Sequence, residues 1–281
     1  MRNKKIFAVT AAVIICAIII VTAFDTRLKT VEYTLQSDKI TDEVRIALIT
    51  DLHSCLYGEN QSELFDKIDA YKPDAVLLGG DIFDDVMDNI NSKAFVAEAA
   101  EKYKTYYVSG NHEWWSNRMY EFFDYLNSCN VKVLRGECDE LNVGESTISI
   151  CGIDDPEVEV YDSAYTKWEE QLKKSVAKAE SDNFTVLLTH RPELAAKYFE
   201  YDIDVALSGH AHGGQFIIPF IMNGFFAPNQ GFLPKLAGGM YDFDGKKLIV
   251  SRGLSRENFT LPRIFNRPEL VFVTIKANNN E

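Results

Sequence analysis

Five histidines occur in the 281 residues, His53, His112, His190, His210 and His212, and each stands in a short polar block that follows an apolar run. The blocks read Asp51-Leu52-His53, Gly79-Gly80-Asp81, Ser109-Gly110-Asn111-His112-Glu113, Thr189-His190 and Ser208-Gly209-His210-Ala211-His212. Imidazole and carboxylate are ligands for Zn²⁺, Mn²⁺ and iron, with no thiolate needed. A histidine-rich set disfavours a pure Mg²⁺ or Ca²⁺ site. Asp51-x-His53 and His210-x-His212 each offer two ligands at i and i+2. Such a pair shares one face of an extended strand, and a turn can instead aim it at two adjacent ions. The ligands outnumber what one tetrahedral ion needs, so two divalent ions are the economical expectation. Any one of these histidines alone would be read as a core or surface residue. Their common placement points to a site.

The elements that must position these blocks are legible as alternating patterns. Strand-like runs are Arg45–Thr50, Ala75–Leu78, Tyr106–Val108, Val131–Leu134, Ser146–Cys151, Thr185–Leu188 and Ile203–Leu207. Helix-like stretches lie near Gln61–Tyr71, Ser92–Lys104, Glu113–Ser128 and Ser163–Ala179. Strands alternating with helices predict βαβ units and a layered α/β domain. In open α/β sheets, sites form beyond the carboxyl ends of strands, which is where all five blocks fall. Lys247–Val250 and Leu270–Ile275 look like strands with little helix between them, which suggests a second sheet face. Residues 25–43 read as a polar linker, and residues 44–281 as one domain ending in the polar tail Asn278–Glu281.

Residues 6–24 carry no charge. A run of this length suits a membrane-spanning helix of roughly 20 residues better than the roughly 7–15-residue apolar region of a signal peptide. Val21-Thr22-Ala23 keeps a cleaved signal open as the alternative. Arg2, Lys4 and Lys5 precede the run, so residues 1–24 are expected as an anchor with a cytoplasmic N-terminus and an external domain. The formal net charge of -13 argues against nucleic-acid binding through a broad basic surface. Neither a dinucleotide fingerprint nor a P-loop appears. Cys16 reads as apolar filler in the anchor. Cys129 and Cys138 are near enough in sequence to bridge a turn, and free thiols are the other reading for Cys55, Cys129, Cys138 and Cys151.

The blocks Asp51-x-His53, Gly80-Asp81, Gly110-Asn111-His112-Glu113, His190 and Gly209-His210-x-His212 resemble the calcineurin-like metallophosphoesterases, in order and complete across residues 51–212. Gly213-Gly214-Gln215, Ala227–Phe232, Ser251-Arg252-Gly253-Leu254 and Arg267-Pro268-Glu269 resemble the membrane-anchored bacterial branch. The twin-arginine signal of some members is missing here. The resemblance implies a β-sandwich flanked by helices. It implies that Asp51, His53 and His212 bind one metal, that Asn111, His190 and His210 bind a second, and that Asp81 bridges them. His112 would touch the substrate phosphate or the leaving oxygen. The implied reaction is attack on phosphorus by a hydroxide bridging two Mn, Zn or Fe ions. The implied substrate is a phosphodiester, a phosphomonoester or a lipid-linked pyrophosphate of the kind taken by diacylglucosamine hydrolases. A non-catalytic metal-binding scaffold with the same fold is the alternative, which loss of a ligand or of His112 would favour. Arg252 is a weaker candidate for phosphate contact, or else a structural ion pair. Glu113 is expected as a supporting partner or as the start of a helix. The apolar segment Gln215–Leu236 is interrupted by Pro219 and Pro228, which excludes a second span. It is either a wall or lid that meets the membrane surface, or a core strand and packed loop. The same choice between site and packing stands for Trp114 and Trp115.

Overall fold

The computed structural model describes residues 2–256 and 262–278, so Asn279, Asn280 and Glu281 of the polar tail lie outside the described residues. Fourteen strands run along the described chain. They are β1 (Lys29–Ser37), β2 (Val44–Ile49), β3 (Ala75–Gly79), β4 (Lys104–Val108), β5 (Lys132–Val133), β6 (Glu137–Val143) and β7 (Ser146–Gly152). Then come β8 (Phe184–Leu188), β9 (Val205–Ser208), β10 (Phe226–Ala227), β11 (Gly231–Phe232), β12 (Gly239–Phe243), β13 (Lys246–Val250) and β14 (Glu269–Ala277). The α-helices are α1 (Arg2–Ala23), α2 (Ser62–Tyr71), α3 (Ile90–Lys102), α4 (Asn111–Trp115), α5 (Met119–Ser128), α6 (Val158–Tyr161), α7 (Trp168–Val176) and α8 (Ala195–Tyr198).

Two six-stranded sheets have the orders β1-β14-β2-β3-β4-β5 and β12-β13-β9-β8-β7-β6. β2 to β5 are parallel, as are β7, β8, β9 and β13. The side chains alternate between two cores. Ile46 and Leu48 of β2, Leu77 of β3, Val186 and Leu188 of β8 and Leu207 of β9 face one another between the sheets. Ala47, Ile49, Val76, Leu78 and Leu187 face outward, against Phe65 and Ile68 of α2, Phe95 of α3 and Leu172 of α7. Strands buried on both faces read as unbroken apolar runs, which is why the sequence signals them clearly. Each such side chain contributes about 1.5–3 kcal/mol by leaving water. The result is the expected sandwich of sheets flanked by helices.

Four expectations are corrected. The polar linker contains β1, which pairs in parallel with β14 from Lys29 opposite Glu269 to Ser37 opposite Ala277. Val31, Tyr33 and Leu35 turn inward while Thr30, Glu32 and Thr34 stay exposed, so half of this edge strand is polar and masks its period of two. β14 does not join a new face with β13. It inserts between β1 and β2 in the first sheet, while β13 extends the second. Cys138 pairs with Cys151, not with Cys129, because the β6–β7 hairpin sets the two directly opposite. Cys129, at the end of α5, is free. The stretch expected as one helix from Glu113 divides into α4 and α5, separated by Asn117 in left-handed backbone with φ 56°.

Candidate metal centre

All five polar blocks converge at one edge of the sandwich, at the carboxyl ends of β2, β3, β4, β8 and β9. Backbone hydrogen bonds lock them together. Asp51 N donates to Gly80 O at 3.0 Å, His53 N to Asp81 O at 3.1 Å, and Gly209 N to His190 O at 3.2 Å. The His210 N–H reaches from the second sheet to Asp51 Oδ1 at 2.9 Å, which ties the sheets across the site. Asp51, His53, Asp81, His210 and His212 all have positive φ, between 45° and 65°. Non-glycine residues hold this conformation at a cost of order 1–3 kcal/mol each and only where the surroundings enforce it. The closely packed glycines are part of that enforcement. A Cβ on Gly110 would lie 2.2 Å from Asp81 Oδ1 and 2.4 Å from Asp81 N.

Three clusters result, two of which share Asp81, while His53, Asp84 and His112 form the third. Asp51, His53, Asp81 and His212 form one, and Asp81, His190 and His210 the other, the ligand atoms within each lying within 4.8 Å of one another. Buried Asp51 Oδ2, His53 Nε2, Asp81 Oδ2, Asn111 Oδ1 and His190 Nε2 have no hydrogen-bond partner. A single buried polar atom without a partner costs about 1–3 kcal/mol. Five gathered in one place fit a divalent-cation site. Asp81 Oδ2 lies 3.6 Å from His53 Nε2 and 3.1 Å from His190 Nε2, so it faces both clusters. Asp81 Oδ1 instead accepts the His112 N–H at 2.9 Å. One carboxylate oxygen, rather than two, is therefore free to be shared.

The far nitrogens of three histidines are held by partners. His53 Nδ1 pairs with Asp84 Oδ2 at 2.8 Å, His190 Nδ1 with Gly79 O at 2.9 Å, and His210 Nε2 with Asn229 Oδ1 at 2.9 Å. Such bonds fix the ring and the tautomer of a ligating histidine. Asn229 Oδ1 also accepts from Arg191 Nη1, and Arg191 is itself clamped by Asp155. Asn266 Nδ2 donates to the carbonyls of His212 and Gln215. Asp84, Asp85, Asn229 and Asn266 were not singled out from sequence. Asp84 and Asp85 follow Asp81 closely, and an acid near a ligand block was the available signal.

The charge of the cluster is arranged for cations. Burial disfavours charge on His53, but its hydrogen bond to Asp84 and the Asp81 and Asp51 carboxylates raise its pKa to about 9. Burial likewise opposes charge on His190, and Asp81 overrides it and lifts the group to about 10. His210 and His212 are pushed well below the ordinary range, first by burial and then by the neighbouring His190 and His53 respectively. Burial and the adjacent Asp81 raise Asp51. Without ions, protons on two imidazoles compensate the carboxylates.

Glu113 lies at the third position of α4 and is wholly buried. Its Oε1 accepts N–H groups from Ile82 at 2.8 Å and Phe83 at 3.1 Å. Its Oε2 accepts from Asp81 at 3.0 Å and Gly110 at 2.8 Å. Burial beside Asp81 pushes its pKa up. The four N–H donors oppose that push by favouring the ionised form.

His112 sits at the rim, partly exposed, with Nδ1 against Asp85 Oδ1 at 2.6 Å. Its ring lies 4.5 Å from that of His53 and 4.9 Å from that of Trp115. Trp115 is half-exposed, whereas Trp114 is core and donates Nε1 to Ser109 Oγ. Arg252 is committed to the scaffold. Its guanidinium donates to Asn223 Oδ1 and to the Asn223 and Gly213 carbonyls, with Glu269 Oε2 3.8 Å from Nε. The phosphate contact expected of it finds no support in this geometry.

The chain is similar in sequence and in fold to known proteins. The calcineurin-like phosphoesterase family model matches residues 44–214. A metallophosphoesterase of Aquifex aeolicus is 29% identical over 260 residues, covering 90% of this chain and 94% of its own. A transmembrane protein with a metallophosphoesterase domain from Bos taurus is 27% identical over 201 residues, 66% of this chain and 45% of its own length. Among solved structures, a putative 5'-nucleotidase from Staphylococcus aureus shares the fold at TM-score 0.52 and 12% identity, over 85% of this chain and 56% of that one. The family match begins at β2 and ends just past His212, so it contains every ligand block, and the chain belongs to the calcineurin-like phosphoesterases and is a phosphoester hydrolase.

Proposed function

We propose that the centre holds two divalent cations. Asp51, His53 and His212 would hold the first, Asn111, His190 and His210 would hold the second, and Asp81 would serve both. The observation that carries this reading is the convergence of five buried ligand atoms without partners, with Asp81 Oδ2 facing a histidine of each cluster. Cations bound there supply Lewis acidity toward a phosphoryl oxygen and acidify a water molecule. Everything else falls to the chain. Asp84, the Gly79 carbonyl and Asn229 orient the imidazoles before any ion arrives. Asp85 holds the His112 ring so that Nε2 meets the leaving oxygen, where general acid catalysis contributes roughly 10²–10⁴-fold. Trp115 walls the rim beside it.

The substrate is a phosphoester or pyrophosphate. A lipid-linked one is favoured by α1, which is long and apolar enough to cross a membrane, and by the exposed apolar loop beyond His212. Arg2, Lys4 and Lys5 keep the N-terminus cytoplasmic and the catalytic domain outside. The test is metal content per chain together with hydrolysis of an aryl phosphodiester by wild type and His112→Ala. Two ions per chain are expected in both proteins, with turnover lost on chelation and a fall of about 10²–10⁴ in kcat for the variant. One ion or none after reconstitution with Mn²⁺ and Zn²⁺ would sink the dinuclear reading. Unchanged turnover in the variant would remove His112 from it.

A further inference from the structure

The segment expected as either a membrane-facing wall or a packed loop divides between the two readings. Ala227 and Pro234 are buried, but the tips are not. Phe220 is fully exposed and Ile221 is 82% exposed, at a turn closed by the bridge between Ile218 and Met222. Phe232 and Leu233 are 70% and 64% exposed. Aromatic contacts of Phe225 with Phe216 and Phe232 join the two tips into one unit. Soluble surfaces seldom gather apolar side chains this way without a partner.

The end of α1 says what that partner is. The Ala23 carbonyl accepts the Phe265 N–H at 2.7 Å, and Asp25 lies 3.4 Å from Arg267, so the last turn of α1 is fastened to the domain. Ile264, next to Phe265, bridges Phe216, and Ile217 N donates to Ile264 O at 3.0 Å. Only Ile218 and Pro219 then separate Ile217 from Phe220, a reach of at most about 11 Å. The first apolar tip is therefore tied through Ile264 and Phe265 to the end of α1. The interfacial zone beyond the hydrocarbon core is roughly 5–8 Å deep on each side. Charge agrees. In a chain with 42 acidic residues, Gln215–Leu236 contains none and carries the single charge of Lys235, so nothing in it is repelled by an anionic leaflet.

We infer that Phe220, Ile221, Phe232 and Leu233 insert into the leaflet from which α1 emerges and seat the catalytic domain on the phospholipid surface. The inference rests on the reading of α1 as the anchor. Gln215 follows His212 by three residues, so the seated face is continuous in chain with the metal cluster.

The test uses the full chain reconstituted into phosphatidylcholine–phosphatidylglycerol vesicles. Phe220→Trp and Leu233→Trp are compared with Val160→Trp, an exposed position on α6 outside the apolar unit. The emission of the native Trp114, Trp115 and Trp168 is subtracted using wild type. The expected result is blue-shifted emission from the two loop tryptophans, lost when the phosphatidylcholine carries brominated acyl chains, with Val160→Trp unaffected. Flotation that retains the protein while the loop tryptophans behave like Val160→Trp overturns the inference and leaves the anchor standing. Failure to float overturns both. A blue shift without bromine quenching assigns the tips to a second protein copy and also overturns it.

Discussion

Glu113→Gln changes one atom of a fully buried side chain and leaves its volume intact, so any effect is electronic rather than steric. The carboxylate serves four backbone donors, two on each oxygen. An amide keeps one oxygen and turns an NH₂ against the other two N–H groups. A buried donor left without an acceptor costs about 1–3 kcal/mol, so two cost about 2–6 kcal/mol. The surviving pair drops from charge-assisted to neutral hydrogen bonds, which adds about 1 kcal/mol each. Relaxation recovers part of this, and we expect a destabilisation of at least about 3 kcal/mol, a large share of the 5–15 kcal/mol typical of a domain.

The environment of Glu113 adds a condition. Burial and then the repulsion of the Asp81 carboxylate raise its pKa in the ion-free protein. Removing the charge relieves that repulsion, so the loss should be smaller without cations and larger with them. The assay is urea unfolding of the detergent-solubilised chain, followed by the fluorescence of buried Trp114, with Mn²⁺ and with chelator. At a slope near 3 kcal/mol per molar urea, the midpoint should fall by about 1 M in the cation-loaded protein. A fall of less than about 0.3 M there, or a larger fall in chelator than in Mn²⁺, would refute the view that Glu113 holds the Asp81 turn as an anion.

Two further outcomes follow from the same geometry. Cation binding should release protons, because His53 and His190 are charged below about 9 and 10 in the ion-free protein and must be neutral to ligate. Apparent affinity should therefore climb with pH through 7 and 8, and calorimetry in two buffers of different ionisation heat should count a net release. No release in that window would contradict the charge arrangement. Gly110→Ala should lower cation affinity by about 10–100-fold, the range seen for partners that orient ligands, because its Cβ meets the Asp81 carboxylate and backbone rather than a yielding side-chain end. Unchanged binding in a titration would show that Asp81 is not held where the cations need it.

The site was legible in sequence because ligand chemistry is written locally. Each block is a few residues long and directly follows an apolar run that cannot face water, so the block and its strand are read together. Its supports are written tertiarily. Asn229 stands 19 residues beyond His210 and Asn266 is 54 beyond His212, and only the folded chain shows what they touch. The edge strands β1, β6 and β12 escaped notice for a related reason. Their burial is partial, so their pattern dilutes toward that of a loop. The disulfide partner of Cys138 depends on the register of β6 against β7, a fact of pairing rather than of spacing.

One property of the ligand blocks escapes a residue-by-residue reading altogether. Asp51, His53, Asp81, His210 and His212 are not glycine, yet all take left-handed backbone. At about 1–3 kcal/mol each, that strain is comparable with the stability of a whole domain. Five buried ligand atoms without partners add to it. The ion pairs of Asp81 with His190 and His53 offset only part of these costs, so the sandwich beneath must hold the turns in place. A cation that binds only the folded form returns part of both costs, and by mass action it stabilises that form in proportion to the logarithm of its concentration over Kd. Strain, partnerless atoms and ion binding are thus one linked quantity. The positions that look least favourable in the ion-free chain are the ones where the ion should contribute most to folding.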